Sequence, residues 1–214
     1  MALSKEEIKK LYRKRAPNYN ITANLYYLIG FREKKYRELS AAALNVKKGD
    51  AVLEIGCGTG LNFPILLEKV GKEGKIIGID LTDKMLEQAG VRVLNNNWKN
   101  IDLINIDAVE YEFGERIDAV ISTFAFTMIP EYERVLRNIS LALKPGSRFV
   151  ICDFKKPEQY PDWITKLGVF ITKPFGVSID LAERKPWLKM KQYYSKVEVK
   201  EIYGGFAYIA VGIA

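Results

Sequence analysis

Residues 51–60 read AVLEIGCGTG, and LNFPILLEKVG follows them. A short apolar run ends in a turn with glycine at every second position, Gly56, Gly58 and Gly60, and a segment with helical spacing comes next. Glycine takes positive φ without strain and lets another group approach the backbone closely. The helix that starts there offers unpaired N–H groups to whatever sits in front of it. A buried strand feeding such a corner belongs to a parallel sheet with helices packed on its faces.

The next hundred residues keep that rhythm. KIIGIDL (75–81), IDLINID (101–107), IDAVISTF (117–124) and SRFVICDF (147–154) have the composition of buried strands. TDKMLEQAGVRVLNN (82–96) reads as a helix capped by Thr82 or Asp83, with Gly90 as a point of interruption. PEYERVLRNISLALK (130–144) reads as a helix with Pro130 in its first turn, stopped by Lys144-Pro145-Gly146. KVEVKEIYG (196–204) and GFAYIAVGI (205–213) form an antiparallel hairpin around Gly204-Gly205. Residues 160–192 break the alternation as two irregular helices interrupted by Pro174, Gly176 and Pro186. Before the glycine turn, 4–16 is a helix capped by Ser4 with Glu7 three residues on and closed by Pro17; 31–45 is another.

Composition removes several chemistries. There is no histidine, which excludes Ser-His-Asp and Cys-His catalysis and histidine-bound metals. The two cysteines, Cys57 and Cys152, sit in apolar runs and read as buried free thiols. No metal site is expected. No apolar run nears the roughly 18 residues that span a bilayer. The charged start, MALSKEEIKK, reads as that of a cytoplasmic chain. Residues 1–50 hold twelve lysines and arginines against five acids, which equals the whole-chain charge of +7. Such asymmetry marks a face for an anionic partner or a solvated basic surface.

The turn is G-x-G-x-G. Leu61 stands where the dinucleotide fingerprint needs its third glycine, and no phosphate-loop lysine follows. Asp80 ends the second strand 20 residues after Gly60. A carboxylate there accepts hydrogen bonds from both hydroxyls of a ribose, or caps the next helix. Asp107-Ala108, at the end of the third strand, offers an acceptor for an adenine amino group or a loop cap.

Together these segments resemble the class I S-adenosylmethionine-dependent methyltransferases. VLEIGCGTG (52–60) resembles the first motif, GIDLTDKMLEQA (78–89) the acidic second-strand motif, and INIDA (104–108) the adenine-side segment. IDAVIST (117–123) and LKPGSRFVICDF (143–154) resemble the fourth and fifth strands. The resemblance implies a Rossmann-like α/β fold: a mostly parallel seven-stranded sheet, its last strand antiparallel, with helices on both faces. It implies an N-terminal helical lid at 1–45 on a single cofactor-binding domain at 46–214. The implied cofactor is S-adenosylmethionine. By that likeness Glu54, Gly56, Gly58 and Gly60 line its methionine and ribose side. Asp80, Leu81 and Met85 hold ribose and adenine, Asp107 and Ala108 the adenine edge, and Ser122 and Thr123 the inner wall.

Residues 12–37 resemble the lid of ubiquinone/menaquinone C-methyltransferases and of bacterial phosphatidylethanolamine N-methyltransferases, with Tyr19-Asn20 in place of the usual Tyr-Asp. The likeness puts Tyr19 over the methionine end of the cofactor. Base and glutamine N-methyltransferases carry an Asn/Asp-Pro-Pro-aromatic segment after the fourth strand; this chain has Ser122-Thr123-Phe124-Ala125-Phe126-Thr127. An apolar wall there suits a small or amphiphilic acceptor and not a nucleic-acid base. Tyr12, Tyr26, Phe124 and Phe126 are the candidates to line it. No constellation identifies a general base.

The basic lid with Tyr26, Tyr27, Leu28, Ile29 and Phe31, and the insert WITKLGVFITKPFG (163–176), suit an anionic membrane surface. The leading expectation is therefore a peripheral enzyme that methylates a phospholipid amine. The alternatives are C-methylation of a quinone precursor and, in another class, a non-catalytic cofactor- or RNA-binding scaffold.

Overall fold

A computed structural model of the chain describes residues 4–20, 27, 30–114, 116–161, 181 and 183–214. The apolar runs become β1 (Ala51–Ile55), β2 (Lys75–Asp80), β3 (Ile101–Asn105), β4 (Ala119–Thr123) and β5 (Arg148–Phe154), and the terminal hairpin becomes β6 (Lys196–Ile202) and β7 (Ala207–Ile213). They form one seven-stranded sheet in the order β3-β2-β1-β4-β5-β7-β6. β1 pairs in parallel with β2 and β4, and the pairs β2–β3 and β4–β5 are parallel too. β7 runs antiparallel to both β5 and β6. This is the Rossmann-like arrangement expected, with one reversed strand.

Every residue of β1 and β4 is buried, because helices cover the sheet on both faces. The described helices are α1 (Lys5–Arg15), α2 (Glu33–Ala43), α3 (Phe63–Val70), α4 (Asp83–Asn95), α5 (Tyr132–Ala142) and α6 (Pro186–Met190). On one face Val52, Ile121 and Val150 meet Leu44, Phe63, Leu66 and Leu86 from the side of α2, α3 and α4. On the other, Leu53, Val120 and Ile151 meet Val135, Leu136 and Ile139 of α5 and Trp187 of α6. Each fully buried Phe or Leu of these layers contributes roughly 2–3 kcal/mol.

The strand order reverses between β1 and β4: β2 and β3 lie on one side of β1, and β4 and β5 on the other. The loops after β1 and β4 therefore part in opposite directions and leave a crevice at their carboxyl ends, where ligands bind in such sheets.

Several local readings change. α5 starts at Tyr132 with Glu131 as its cap, so Pro130 precedes the helix instead of opening it. Gly90 lies inside an unbroken α4; a methyl there would meet only Leu103, at 3.9 Å. Phe31, expected among the lid aromatics at a lipid surface, is buried against Tyr36, Phe124, Phe154 and Tyr203. Tyr27 is half-exposed, while Tyr26, Leu28, Ile29 and the 163–176 insert lie outside the described residues. α2 packs on β4, β5 and α3 as part of the sheet's covering layer. α1 packs on α4 and has no fully buried residue. Its start is fixed by a reciprocal cap, in which Ser4 Oγ accepts from Glu7 N–H and the Glu7 carboxylate accepts from Ser4 N–H at 2.8 Å. No described helix is long and apolar enough to cross a membrane.

Candidate functional site

The glycine turn is held from below and from both sides. The N–H groups of Gly56 and Cys57 donate to the Ile79 carbonyl, at 2.9 and 3.0 Å, which ties the turn to β2. Gly58 N–H donates to Asp80 Oδ2 at 2.9 Å, and Thr82 N–H donates to Asp80 Oδ1 at 2.8 Å. Arg92 of α4 donates to the Thr59 carbonyl at 2.8 Å. The Thr59 hydroxyl lies 2.7 Å from Asn20 Oδ1, so the residue that departs from the Tyr-Asp pattern of the lid is seated on the turn. Gly56 has φ +66° and faces Ala125; a Cβ would come within 2.5 Å of the alanine methyl.

In front of the turn lies a cavity of about 900 Å³, counting the open space at its mouth. Tyr12, Tyr19, Gly56, Gly58, Asp80, Leu81, Met85, Asp107, Ala108, Thr123 and Phe124 all line it. Of the other anticipated residues, Tyr26 lies outside the described residues, and Glu54, Gly60, Ser122 and Phe126 are not among those lining the cavity. Gly60, at φ +74°, makes room for Phe63, whose ring would be 2.4 Å from a Cβ. Ser122 points the other way from Thr123 and donates to the Ile55 carbonyl at 2.8 Å, stitching β4 to β1. Phe126 is fully buried, 5.3 Å from the Phe149 ring, and belongs to the core and not to the acceptor wall.

Glu54 belongs to a buried network behind the cavity wall. Asn62 Nδ2 donates to Glu54 Oε1 at 2.7 Å and to Thr123 Oγ1 at 2.9 Å. Arg37 of α2 donates to Thr123 Oγ1 at 2.5 Å, to Asn62 Oδ1 at 3.2 Å and, through Nε and Nη2, to Glu33 Oε1 at 2.8 and 2.5 Å. Burial works against the Arg37 charge, yet the Glu33 carboxylate outweighs it and the guanidinium is held above its ordinary value. Glu54 Oε2 is buried and has no hydrogen-bond partner among the described residues. Burial pushes the Glu54 carboxyl up to about 8, against the pull of Arg37 and Asn62. Burial raises Asp80 as well, opposed by the N–H groups of Thr82 and Gly58. Tyr19 is pushed up to about 12 for the same reason.

The opposite wall is apolar. Phe124, Ala125, Met128 and Ile129 face the cavity from the loop after β4, and Ile8 and Tyr12 of α1 roof it. Phe124 takes φ +56°, a costly conformation for a bulky residue, and its N–H donates to the Cys152 carbonyl at 2.7 Å. Its ring covers the Arg37 guanidinium at 5.2 Å.

Arg37, Asn62 and Lys5 carry no motif that marks them as site residues in the sequence. Arg37 was legible in part: it sits four residues after Glu33, on the stripe that buries Tyr36, Ser40 and Ala41. An ion pair inside a buried stripe is worth noticing in a sequence.

A cleft at the switch point, a glycine turn bonded to a second-strand aspartate and a single reversed strand define the S-adenosylmethionine-dependent methyltransferase class. The methyltransferase-domain family model matches residues 46–197, and the chain belongs to that family, whose methyl donor is S-adenosylmethionine. Over 160 residues it is 30% identical to demethylmenaquinone methyltransferase of Listeria monocytogenes, covering 74% of this chain and 66% of that protein. The chain thus spans just under two thirds of the length of that relative. Over 190 residues it is 30% identical to the chloroplastic 2-phytyl-1,4-beta-naphthoquinone methyltransferase of Arabidopsis thaliana, covering 86% of this chain and 72% of that protein. The structure of a SAM-dependent methyltransferase from Aquifex aeolicus superposes with a TM-score of 0.61 at 22% identity, over 86% of this chain and 98% of that one, and shares the fold.

Proposed function

We propose that the chain is an enzyme that methylates a ring carbon of an amphiphilic hydroquinone. One observation carries this reading: a single cavity has a polar side built by the glycine turn, Asp80 and Arg37, and an apolar side built by Phe124, Ala125, Met128 and Ile129. S-adenosylmethionine supplies a methyl group on a sulfonium. The residues fit that cofactor: the glycine turn and Asp80 line the cavity, and behind its wall the buried Glu54 Oε2 has no hydrogen-bond partner among the described residues.

In this reading Asp80 accepts the ribose hydroxyls with the lone pairs left by Gly58 and Thr82. Gly56 and Gly58 give close backbone approach. Leu81, Met85 and Ala108 pack the adenine, and Asp107 takes its amino group. Glu54 serves the ammonium and Arg37 the carboxylate of the methionine part, with Thr123 holding Arg37 and Tyr19 covering that end. Ser122, Gly60 and Phe126 support these groups from behind. The apolar wall and the Tyr12 roof exclude water and orient the acceptor ring, which supplies most of the catalysis in an in-line displacement.

An apolar wall favours a flat ring over a zwitterionic ethanolamine head group, whose burial beside Phe124 and Met128 would leave polar atoms unpaired. The quinone methyltransferases among the relatives support the same choice. A tailed quinol resides in a bilayer, and the exposed Lys10 and Lys14 of α1 give the chain a cationic approach to anionic lipid.

The test is methyl transfer from labelled S-adenosylmethionine to reduced demethylmenaquinone, a demethylated ubiquinol and phosphatidylethanolamine vesicles in parallel. Label in a quinol is expected. Label in the ethanolamine lipid alone would overturn the ring-carbon reading. Absence of both transfer and calorimetric cofactor binding would leave only the RNA-binding scaffold.

A further inference from the structure

We infer that Arg184 is a positioning residue for the methyl acceptor: it and Asp153 grip Thr127 by its two backbone groups and so fix the wall that faces the methyl donor. The inference rests on the reading of Phe124–Ile129 as the acceptor wall.

The turn Phe126–Met128 follows β4. Thr127 N–H donates to Asp153 Oδ2, at the end of β5, at 2.9 Å. The Thr127 carbonyl accepts from Arg184 Nη1 at 2.6 Å, and the same nitrogen lies 2.9 Å from the Ile129 carbonyl. Two charged side chains thus hold one residue by its N–H and its carbonyl, which belong to two successive peptide groups. Asp153 is itself fixed, because its Oδ1 takes the Phe154 N–H at 2.9 Å and the residue is buried. The Arg184 guanidinium is also fixed in plane, lying 5.5 Å from the centre of the Tyr132 ring.

What the grip controls is the cavity. Phe126 anchors the turn in the core, and the two residues that follow the gripped Thr127, Met128 and Ile129, line the cavity. Ala125 at the front of the turn packs against Gly56. A shift of Thr127 therefore moves the acceptor wall relative to the glycine turn that holds the donor. A displacement of about 1 Å between reacting groups is enough to cost rate steeply. The rigid, planar guanidinium fixes the directions of both Nη1 hydrogens; lysine keeps the charge and loses that fixed geometry.

Arg184→Gln and Arg184→Lys test this in the full chain. With reduced demethylmenaquinone as acceptor, R184Q is expected to raise the acceptor KM and lower kcat, each by roughly tenfold, while calorimetric affinity for S-adenosylmethionine stays unchanged. R184K recovers part of the loss. The methionine methyl groups give a reading that needs no turnover. The 13C signal of Met128 should shift in R184Q, and that of Met85, on the cofactor side, should not. An unmoved Met128 signal, or cofactor affinity lost as fully as acceptor affinity, overturns the assignment. A wild-type protein that leaves the quinol unmethylated overturns the acceptor reading instead, and the Met128 signal then decides the clamp by itself.

Discussion

Lys5 Nζ lies 2.8 Å from Asp107 Oδ2 and 2.7 Å from Glu131 Oε1, so the first helix is tied across the mouth of the cavity it roofs. Asp107 and Glu131 both raise the Lys5 ammonium above its ordinary value. At the other end of α1, Arg13 bonds both oxygens of Asp83 at 2.7 and 2.9 Å and holds that carboxyl at about 2. Between them the Tyr12 hydroxyl donates to Met128 Sδ at 3.0 Å. With no fully buried residue, α1 is held at its rim and not by a core. Exposed ion pairs are individually weak and screened by salt. Lys5→Ala and Arg13→Ala are each expected to speed cofactor dissociation roughly threefold, and 0.5 M salt should do the same to the wild type. Lys10→Ala, on an exposed position of the same helix, serves as the control. Stopped-flow displacement reads the rate, and a rate indifferent to both Lys5→Ala and salt would show that α1 is not the gate.

Glu54 makes the empty protein sensitive to pH in an unusual direction. Its folded value of about 8 lies above the ordinary 4.5, so the folded chain binds that proton more tightly than the unfolded chain. The associated stability is fully present below pH 4.5 and is lost as pH rises towards 8. The groups that face it are Arg37, Asn62 and Asp80. The melting temperature without cofactor is expected to fall on the order of 5 °C across this window, and Glu54→Gln should flatten the fall. If the cofactor ammonium meets Oε2, binding at pH 7 also releases a proton. Calorimetry in two buffers of different ionisation enthalpy would then give two different heats, and equal heats would argue against Glu54 as the ammonium's partner.

The three glycines of the turn separate stability from binding. A Cβ on Gly56 meets Ala125 at 2.5 Å, and one on Gly60 meets the Phe63 ring at 2.4 Å. A Cβ on Gly58, at φ +56°, would meet no described residue within 4 Å, and Gly58 lines the cavity. Gly56→Ala and Gly60→Ala are expected to lower the melting temperature strongly, because the added methyl collides with packed side chains. Gly58→Ala carries only the backbone cost of about 1–2 kcal/mol for an L-residue at positive φ but places a methyl where the ligand approaches. Its melting temperature should fall least and its cofactor affinity about tenfold or more. Thermal melts alongside calorimetry decide this, and equal destabilisation by all three would contradict it.

The fold was legible because its signals are local. The apolar run at 51–55, the glycines after it and Asp80 lie on one strand–turn–helix–strand unit, and such a unit fixes its own geometry. Local signals mislead where strand alternation or ring burial sends a residue elsewhere. Ser122 and Thr123 were both assigned to the inner wall, yet neighbours on a strand face opposite ways, and only Thr123 reaches the cavity. Phe31 and Phe126 read as exposed or site aromatics, but large rings next to sheet ends are the cheapest groups to bury. Lys5, Arg184 and the long-range bonds of Arg37 are invisible for a different reason. Their partners lie far along the chain: Thr123 is 86 residues from Arg37, and Thr127 is 57 residues from Arg184. Nothing periodic in one sequence marks contacts that tertiary packing alone creates.

Asp80 carries the strongest expectation for the site. Each of its oxygens already accepts one backbone N–H, from Gly58 and from Thr82, and the residue lines the cavity. Asp80→Ala removes the ribose acceptor and strips the partner from the Gly58 N–H, so affinity for S-adenosylmethionine should fall about 100-fold. Asp80→Asn should fall nearly as far, because one end of the amide is a donor and must oppose either the Gly58 or the Thr82 N–H. A nucleoside probe isolates the role. Methylthioadenosine has the ribose and adenine but lacks the ammonium and carboxylate. Both Asp80 variants should weaken it as much as they weaken S-adenosylmethionine, whereas Glu54→Gln should weaken S-adenosylmethionine alone. Calorimetric titration of the two compounds against the three variants checks the pattern. Methylthioadenosine binding that survives Asp80→Ala would move the ribose contact to another residue.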